Sequence, residues 1–344
     1  MFQNTDAYIV LSPQNRFYFS GFRSSFGCVI VTPNARTLIT DYRYAAEAKS
    51  VAKDCSVLAI SAAEFYPTIK TVLSEANAKK VGYEDEYVTV ADFNKLAEKV
   101  DGFEFVPASK EIADCRMIKS DEEVAAIATA QAVTQRAFLK VLPLIKAGVT
   151  EKEISDEIAY QILRHGAEEL AFESIVAFGV NTANPHHHPT AKKLEKNELI
   201  TIDIGAKVNG YCGDMTRTFC LGTPNEKLAE IHKIVLDAQA YAIENLRMGL
   251  PAKTAHVLAA EYIGANGYGN EFLHSLGHGV GLDVHERPYL SPSGGDILEA
   301  NTVFSVEPGI YVEGLGGVRI EDLVVVKPEG VINLTTSVGK NINL

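Results

Sequence analysis

Asp203 and Asp214 stand within one short apolar stretch, "LITIDIGAKVNGYCGDMTRTF". Carboxylates are costly to bury unless a cation or several donors accompany them, so something positive belongs beside this pair. Asn209-Gly210 is a strong signal for a two-residue hairpin turn, and the flanking runs alternate and carry β-branched residues. With that dipeptide as the loop, Val208 faces Tyr211 and Gly205 faces Asp214. Asp203 then shares a face with Asp214, diagonal to it, and small Gly205 leaves room between them.

A second acidic pair follows. "NTVFSVEPGIYV" and "GVRIEDLVVV" flank a glycine-rich loop at Gly314, Gly316 and Gly317, and a loop centred near Leu315 puts Glu307 and Glu321 on one face. Between the hairpins runs "FLHSLGHGVGLDVHERP", in which His274, His278 and His285 alternate with Gly277, Gly279 and Gly281. So many glycines exclude a helix interior and predict extended chain whose backbone approaches something closely. One imidazole can join the carboxylates. An oxygen-rich set with a single nitrogen suits Mn²⁺, Co²⁺, Fe²⁺ or Zn²⁺ and excludes a thiolate zinc site. Four carboxylates overcharge one ion, so two divalent ions per chain are expected.

These hairpins need a scaffold. Residues 1–116 alternate β-rich runs ("CVIVT", "TLIT", "SVLAI", "KKVGYE") with helical ones ("YAAEAKSVAK", "DFNKLAEKV"), the pattern of an α/β domain. A long amphipathic helix then starts after Ser120, with Glu123 completing a capping box, so the boundary falls near Arg116 and Met117. Residues 117–344 repeat weakly: Gly148 and Gly249 lie 101 positions apart, as do Gly166 and Gly267, each pair stopping helices in register. The expectation is an α/β (α+β) protein, an α/β domain over 1–116 followed by a pseudo-twofold α+β domain over 117–344.

Composition narrows the function. The chain has 344 residues, 47% hydrophobic and 22% charged, which permits a packed core and a buried cleft. A formal charge of −12 argues against nucleic acid as partner, since no basic stripe displaces phosphate counterions. Five scattered cysteines, without CxxC spacing, fit reduced thiols. No run is long enough to span a bilayer and no signal segment opens the chain, so no membrane partner and a cytoplasmic location are expected.

Taken in order, "NPHHHPT", "TIDIGAKVNGYCGDMTRTF", "HSLGHGVGLDVHE", "VFSVEPGIY" and "GVRIEDLVVV" resemble the blocks of the metal-dependent pita-bread (M24) peptidases, in the branch of Xaa-Pro aminopeptidases and prolidases. "YFSGFRSSFGCVIVT" and "LITDYRYAAEA" resemble that branch's creatinase-like N-terminal domain. The resemblance covers nearly the whole chain. It implies that Asp203, Asp214, His278, Glu307 and Glu321 are the metal ligands, with Asp214 and Glu321 bridging two ions, Mn²⁺ ahead of Co²⁺, Zn²⁺ or Fe²⁺. It further implies that His186 steadies the scissile-bond oxygen, that His285 contacts the residue after the cleaved bond, that His274 belongs to the substrate pocket, and that Arg319 holds a ligand carboxylate beside that pocket. Glu307 is the candidate to carry a proton to the leaving nitrogen. His187, in the middle of the histidine run, reads as a solvated or packing residue.

The activity so implied is hydrolysis of the bond between an N-terminal residue and a following proline, an Xaa-Pro aminopeptidase, with a hydroxide nucleophile made available at neutral pH by the two ions. Its partners would be proline-containing peptides. The alternative is an Xaa-Pro dipeptidase (prolidase) acting on dipeptides. Many prolidases carry an arginine after "HERP"; here Tyr289 stands there, with Arg287 two positions earlier, which weakens the dipeptidase alternative. A non-peptidase pita-bread binding module or C–N hydrolase would lack the full ligand set, and methionine aminopeptidase needs no creatinase-like domain. The resemblance, together with the aromatic "RFYFSGFRSSFG" read as a loop, implies a homodimer whose N-terminal domain partly covers the partner's cleft.

Overall fold

The computed structural model describes residue 2 and residues 4–343. The chain divides into two compact units, Met1–Arg116 and Met117–Leu344.

The first unit contains β1 (Ala7–Val10), α1 (Pro13–Ser20), β2 (Cys28–Val31), β3 (Arg36–Asp41), α2 (Ala45–Val51), β4 (Ser56–Ile60), α3 (Phe65–Glu75), β5 (Lys80–Tyr83), α4 (Val90–Lys99), β6 (Glu104–Pro107) and α5 (Ser109–Met117). Its six-stranded sheet runs β4-β3-β2-β1-β5-β6, mixing antiparallel pairs (β1–β2, β2–β3) with parallel ones (β3–β4, β1–β5, β5–β6). Apolar clusters cover both faces: Ile9, Ile30, Ile39, Ile69 and Leu73 on one, Tyr8, Val29, Leu38, Phe19 and Phe22 on the other. The aromatic stretch read as a loop therefore begins as helix. Ser12 caps α1 by accepting from Asn15 N, Pro13 stands in its first turn, and Gly21 ends it with φ 69°. Phe19 and Phe22 are buried in their own unit, while Phe17, Tyr18 and Phe26 of the same stretch are half-buried.

The second unit starts with α6 (Asp121–Val141), whose Ser120/Glu123 capping box is present as expected. It continues through α7 (Glu151–Arg164), β7 (Glu169–Leu170), β8 (Ile175–Phe178), β9 (Leu199–Ile204), β10 (Ala206–Val208), β11 (Tyr211–Cys212), β12 (Met215–Cys220), α8 (Glu226–Asn245) and α9 (Ala252–Ala265). The last strands are β13 (Gly277–Gly279), β14 (Glu286–Leu290), β15 (Val303–Val306), β16 (Gly309–Val312), β17 (Gly316–Arg319), β18 (Asp322–Lys327) and β19 (Gly330–Asn333). The repeat is visible in the helices: α7 and α9 both have 14 residues, and both their ends are offset by the 101 positions that separate Gly148 from Gly249. Helices α6 and α7 pack through Phe138, Val141, Ile154 and Ile158 on β8, β9 and β12, while α8 and α9 pack through Ala242, Ala255 and Ala259 on the sheet containing β15 and β18. Each helical pair thus buries the back of one hairpin, and the acidic residues occupy the other side.

Candidate metal centre and cleft

The first hairpin takes the expected register. Val208 pairs with Tyr211 and Lys207 with Cys212, and beyond a break Ile204 pairs with Met215 and Asp203 with Thr216. The same count places Gly205 opposite Asp214. Asn209 and Gly210 have φ of 50° and 84°, the left-handed conformations a primed two-residue turn requires. Gly205 serves a different purpose from the one expected, because a Cβ there would sit 2.3 Å from the Gly213 carbonyl oxygen and 2.6 Å from the Phe172 ring. Its missing side chain admits backbone and an aromatic edge rather than a cation.

At the break the backbone of Asp214 loses its strand partner and finds a side chain instead. Gln131 on α6 accepts from Asp214 N at 2.8 Å through Oε1 and donates to Asp214 O at 2.8 Å through Nε2. The sequence reading missed this residue, although a signal existed: Gln131 lies in the stripe Ile127, Thr134, Phe138 that α6 buries.

The second hairpin keeps one register on both sides of its own gap, Val303 with Val325 through Val306 with Asp322, then Gly309 with Arg319 through Val312 with Gly316. Glu307 and Glu321 therefore face each other directly. The turn centres on Gly314 rather than Leu315, which shifts the register by two and leaves both glutamates on the shared face as expected. His278 reaches them from β13, where a Cβ at neighbouring Gly277 would lie 1.9 Å from Ser305 O. Glycine is what lets β13 approach β15 this closely.

The five residues named as ligands converge. His278 Nε2 lies 3.2 Å from Glu307 Oε1 and 3.7 Å from Asp214 Oδ2. Asp214, His278 and Glu321 each offer a ligand atom within 4.8 Å of the others. The Nδ1 of His278 lies 3.2 Å from Gly279 O and donates to it, which leaves Nε2 as the nitrogen facing the carboxylates. Glu307 Oε1 accepts from Ser305 Oγ at 3.0 Å, and Glu321 Oε2 from Thr216 Oγ1 at 2.7 Å. Asp203 Oδ2 accepts from Arg319 Nη2 at 2.7 Å. Within this acidic cluster, two buried oxygens have no hydrogen-bond partner among the described residues, Asp203 Oδ1 and Glu321 Oε1. Buried acceptors are almost always satisfied, so orphans on two members of an acidic cluster fit a divalent cation as the missing partner.

The electrostatics agree. Burial first, and then the neighbouring carboxylates, raise the pKa of Asp203, Asp214 and Glu321, the last two well above the ordinary range. Burial would raise Glu307 too, but the hydrogen bond from His278 and the charges of His278, His274 and Arg319 bring it down to about 2. His278 is raised despite burial, because Glu307 faces it. An imidazolium and the Arg319 guanidinium partly replace the missing positive charge.

Arg319 commits four of its five N–H donors within the site. Besides Asp203 it donates to Thr216 Oγ1 at 3.1 Å, to Tyr311 Oη at 2.8 Å and to Pro185 O at 3.2 Å. His274 lines the cleft with its ring, yet both nitrogens are occupied. Its Nδ1 donates to Ser275 O at 2.8 Å, so Nε2 accepts from the Tyr311 hydroxyl at 2.9 Å. His285 is exposed at the rim, its ring edge-on to His278 at 4.1 Å between centroids. His186 is also exposed and lines the same cleft, and its ring has no hydrogen-bond partner among the described residues. His187 takes the packing alternative of its sequence reading: half-buried, it meets the wholly buried Glu151 at 2.9 Å. Glu151 gave no sequence signal, since it looks like an ordinary first-turn acid of α7. The cleft, of about 430 Å³, is also walled by Phe172, Ile175, Val284 and Tyr289.

Comparison with known proteins places this geometry in a family. Residues 125–328 match the model of metallopeptidase family M24, and residues 3–118 match the creatinase/prolidase N-terminal domain. A protein named Xaa-Pro dipeptidase from Pyrococcus furiosus is 37% identical over 334 residues, 96% of this chain and 93% of that one. Among solved structures, an X-Pro aminopeptidase from Thermotoga maritima is 37% identical with a TM-score of 0.92, covering 99% of this chain and 98% of that chain. An Xaa-Pro dipeptidase from Bacillus anthracis is 35% identical with a TM-score of 0.95, covering 99% and 95%. The converging acids and histidine, the orphaned oxygens and these similarities have one explanation: the chain belongs to metallopeptidase family M24, a divalent-metal-dependent family, and combines a creatinase-like N-terminal domain with a pita-bread peptidase domain.

Proposed function

We propose that the protein is an Xaa-Pro aminopeptidase that removes an N-terminal residue preceding proline from peptides longer than a dipeptide. The observation that carries this choice is the state of the cleft's cations. A dipeptide presents a carboxylate next to its proline ring, and clamping it calls for an uncommitted arginine or lysine. Among the described residues lining the cleft the only arginine or lysine is Arg319, and four of its five N–H donors go to Asp203, Thr216, Tyr311 and Pro185. Arg287, near the position that bears arginine in many prolidases, pairs with Asp296. A longer peptide has no charge at that point and needs no clamp.

Two divalent ions, which Asp203, Asp214, His278, Glu307 and Glu321 would hold, would supply a nucleophile at neutral pH and polarise the scissile carbonyl. His186, with an unengaged ring, donates to the carbonyl oxygen as charge develops there. Glu307, held ionised, takes a proton from the attacking water and passes it to the departing proline nitrogen. His285 contacts the proline residue from the rim. The substrate's N-terminal ammonium is drawn to the acidic cluster. Proline selectivity follows from the tertiary amide, which has no N–H for an ordinary peptidase to use. The five unpaired cysteines support a reducing, cytoplasmic setting.

The test compares hydrolysis of Xaa-Pro dipeptides with Xaa-Pro-Yaa tripeptides, with Mn²⁺, Co²⁺ or Zn²⁺ supplied. A higher kcat/KM on tripeptides is expected. Faster turnover of dipeptides would establish the dipeptidase alternative, which the names of the Pyrococcus and Bacillus relatives favour.

A further inference from the structure

Glu151 is wholly buried at the first position of α7, and among the described residues no lysine or arginine forms an ion pair with it. Instead five donors converge on its carboxylate. Oε1 accepts from Phe178 N at 2.8 Å and Asn181 Nδ2 at 2.8 Å. Oε2 accepts from His187 Nε2 at 2.9 Å, Thr190 N at 2.9 Å and Thr190 Oγ1 at 2.6 Å. All five lie in one segment, residues 178–190, with one oxygen gathering its start and the other its end. The segment is the loop that carries "NPHHHPT". Burial opposes ionisation of Glu151, but these bonds outweigh it and hold its pKa below the usual value.

His186 stands inside this loop. Its backbone N–H donates to Asn184 Oδ1 at 3.1 Å, and the carbonyl before it, Pro185 O, accepts from Arg319. The residue after it is His187, held by Glu151. The backbone on either side of His186 is thus held, by Arg319 beside Asp203 and by a carboxylate buried beneath the loop. We propose that Glu151 is a positioning residue that acts through His187 and Thr190 to set where His186 meets the scissile carbonyl. The inference rests on the oxyanion role given to His186 above. It also reinterprets the run of histidines: His187 faces inward as the loop's anchor so that His186 can face outward.

A double-mutant cycle tests it. Glu151→Gln puts an amide donor among donors, and His187→Leu removes one arm with less risk to folding. Both should lower kcat on an Xaa-Pro-Yaa tripeptide about ten- to a hundredfold, the scale of a small misplacement of a reacting group, with KM and bound metal unchanged. His187→Gln, which keeps a donor, should recover most of the loss. In a His186→Ala background neither Glu151→Gln nor His187→Leu should lower kcat further. If the losses multiply instead, Glu151 does not act through His186 and the inference fails while the role of His186 stands. If His186→Ala alone retains full kcat, the role assigned to His186 fails and takes the inference with it.

Discussion

The Gln131 amide makes a sharp demand on stability. Leucine at this position fills a similar volume but cannot pair with the backbone of Asp214. Gln131 is completely buried and Asp214 is 4% exposed, so water has no room to replace the lost bonds. Both 2.8 Å bonds vanish, leaving the Asp214 N–H and C=O unsatisfied, and Thr335 Oγ1 loses its 2.7 Å donor. At about 1 to 3 kcal/mol for each of the two orphaned backbone groups, and with about 1 kcal/mol returned by the added apolar contact, the net loss is about 1 to 5 kcal/mol. Gln131→Glu should be worse than Gln131→Leu, because it sets a carboxylate oxygen against the Asp214 carbonyl and adds negative charge beside an acidic cluster. Urea denaturation of the chelated protein measures the loss without contribution from metal. Calorimetric titration with Mn²⁺ should show weakened binding, because the Asp214 carboxylate is no longer held in place. A Gln131→Leu protein within about half a kcal/mol of the parent would refute the argument, since ordinary surface substitutions stay in that range.

Other outcomes follow from the same geometry. Asp214→Ala should abolish peptidase activity and leave fewer than two ions per chain by elemental analysis; full activity in a chelated sample would exclude the metal mechanism. His285→Ala should reduce turnover of Xaa-Pro peptides by roughly a hundredfold, the usual cost of one transition-state hydrogen bond, and equal cleavage of Xaa-Pro and Xaa-Ala peptides would remove proline from the specificity. His232 is buried, donates from Nε2 to Thr218 O at 3.1 Å, and has its pKa lowered by burial from 6.5. A depressed histidine contributes stability that is present above the unfolded pKa and lost as pH falls through the folded one, so His232→Gln should flatten the decline of melting temperature on acidification below about pH 6.5; an unchanged slope would show that His232 is not its source. Static light scattering should give the mass of a dimer, and a fully active monomer would end any role for a partner in limiting substrate length.

What the sequence determined by itself was local. Asn209-Gly210 sets φ at two residues and thereby the pairing of every residue out to Asp203 and Asp214, because strand register propagates from the turn. The parity of the second hairpin survived a displaced loop centre for the same reason: a shift of two keeps side chains on one face. The Ser120/Glu123 cap needs only four consecutive residues and was equally legible. The tertiary structure alone decided which groups those elements meet. Arg319 sits two residues from Glu321, yet its commitment to Asp203 depends on a strand more than a hundred positions away. His187 and Glu151 are far apart in sequence, and nothing at either position marks one as the anchor of the other. The aromatic run at Arg16–Phe22 was ambiguous in the same way, since aromatic content does not tell a core from an interface until the sheet beneath it is in place. Backbone conformation follows from neighbours a few residues away, whereas the partner of a buried charge is fixed by whichever segments the packing brings together, and packing is a property of the whole domain.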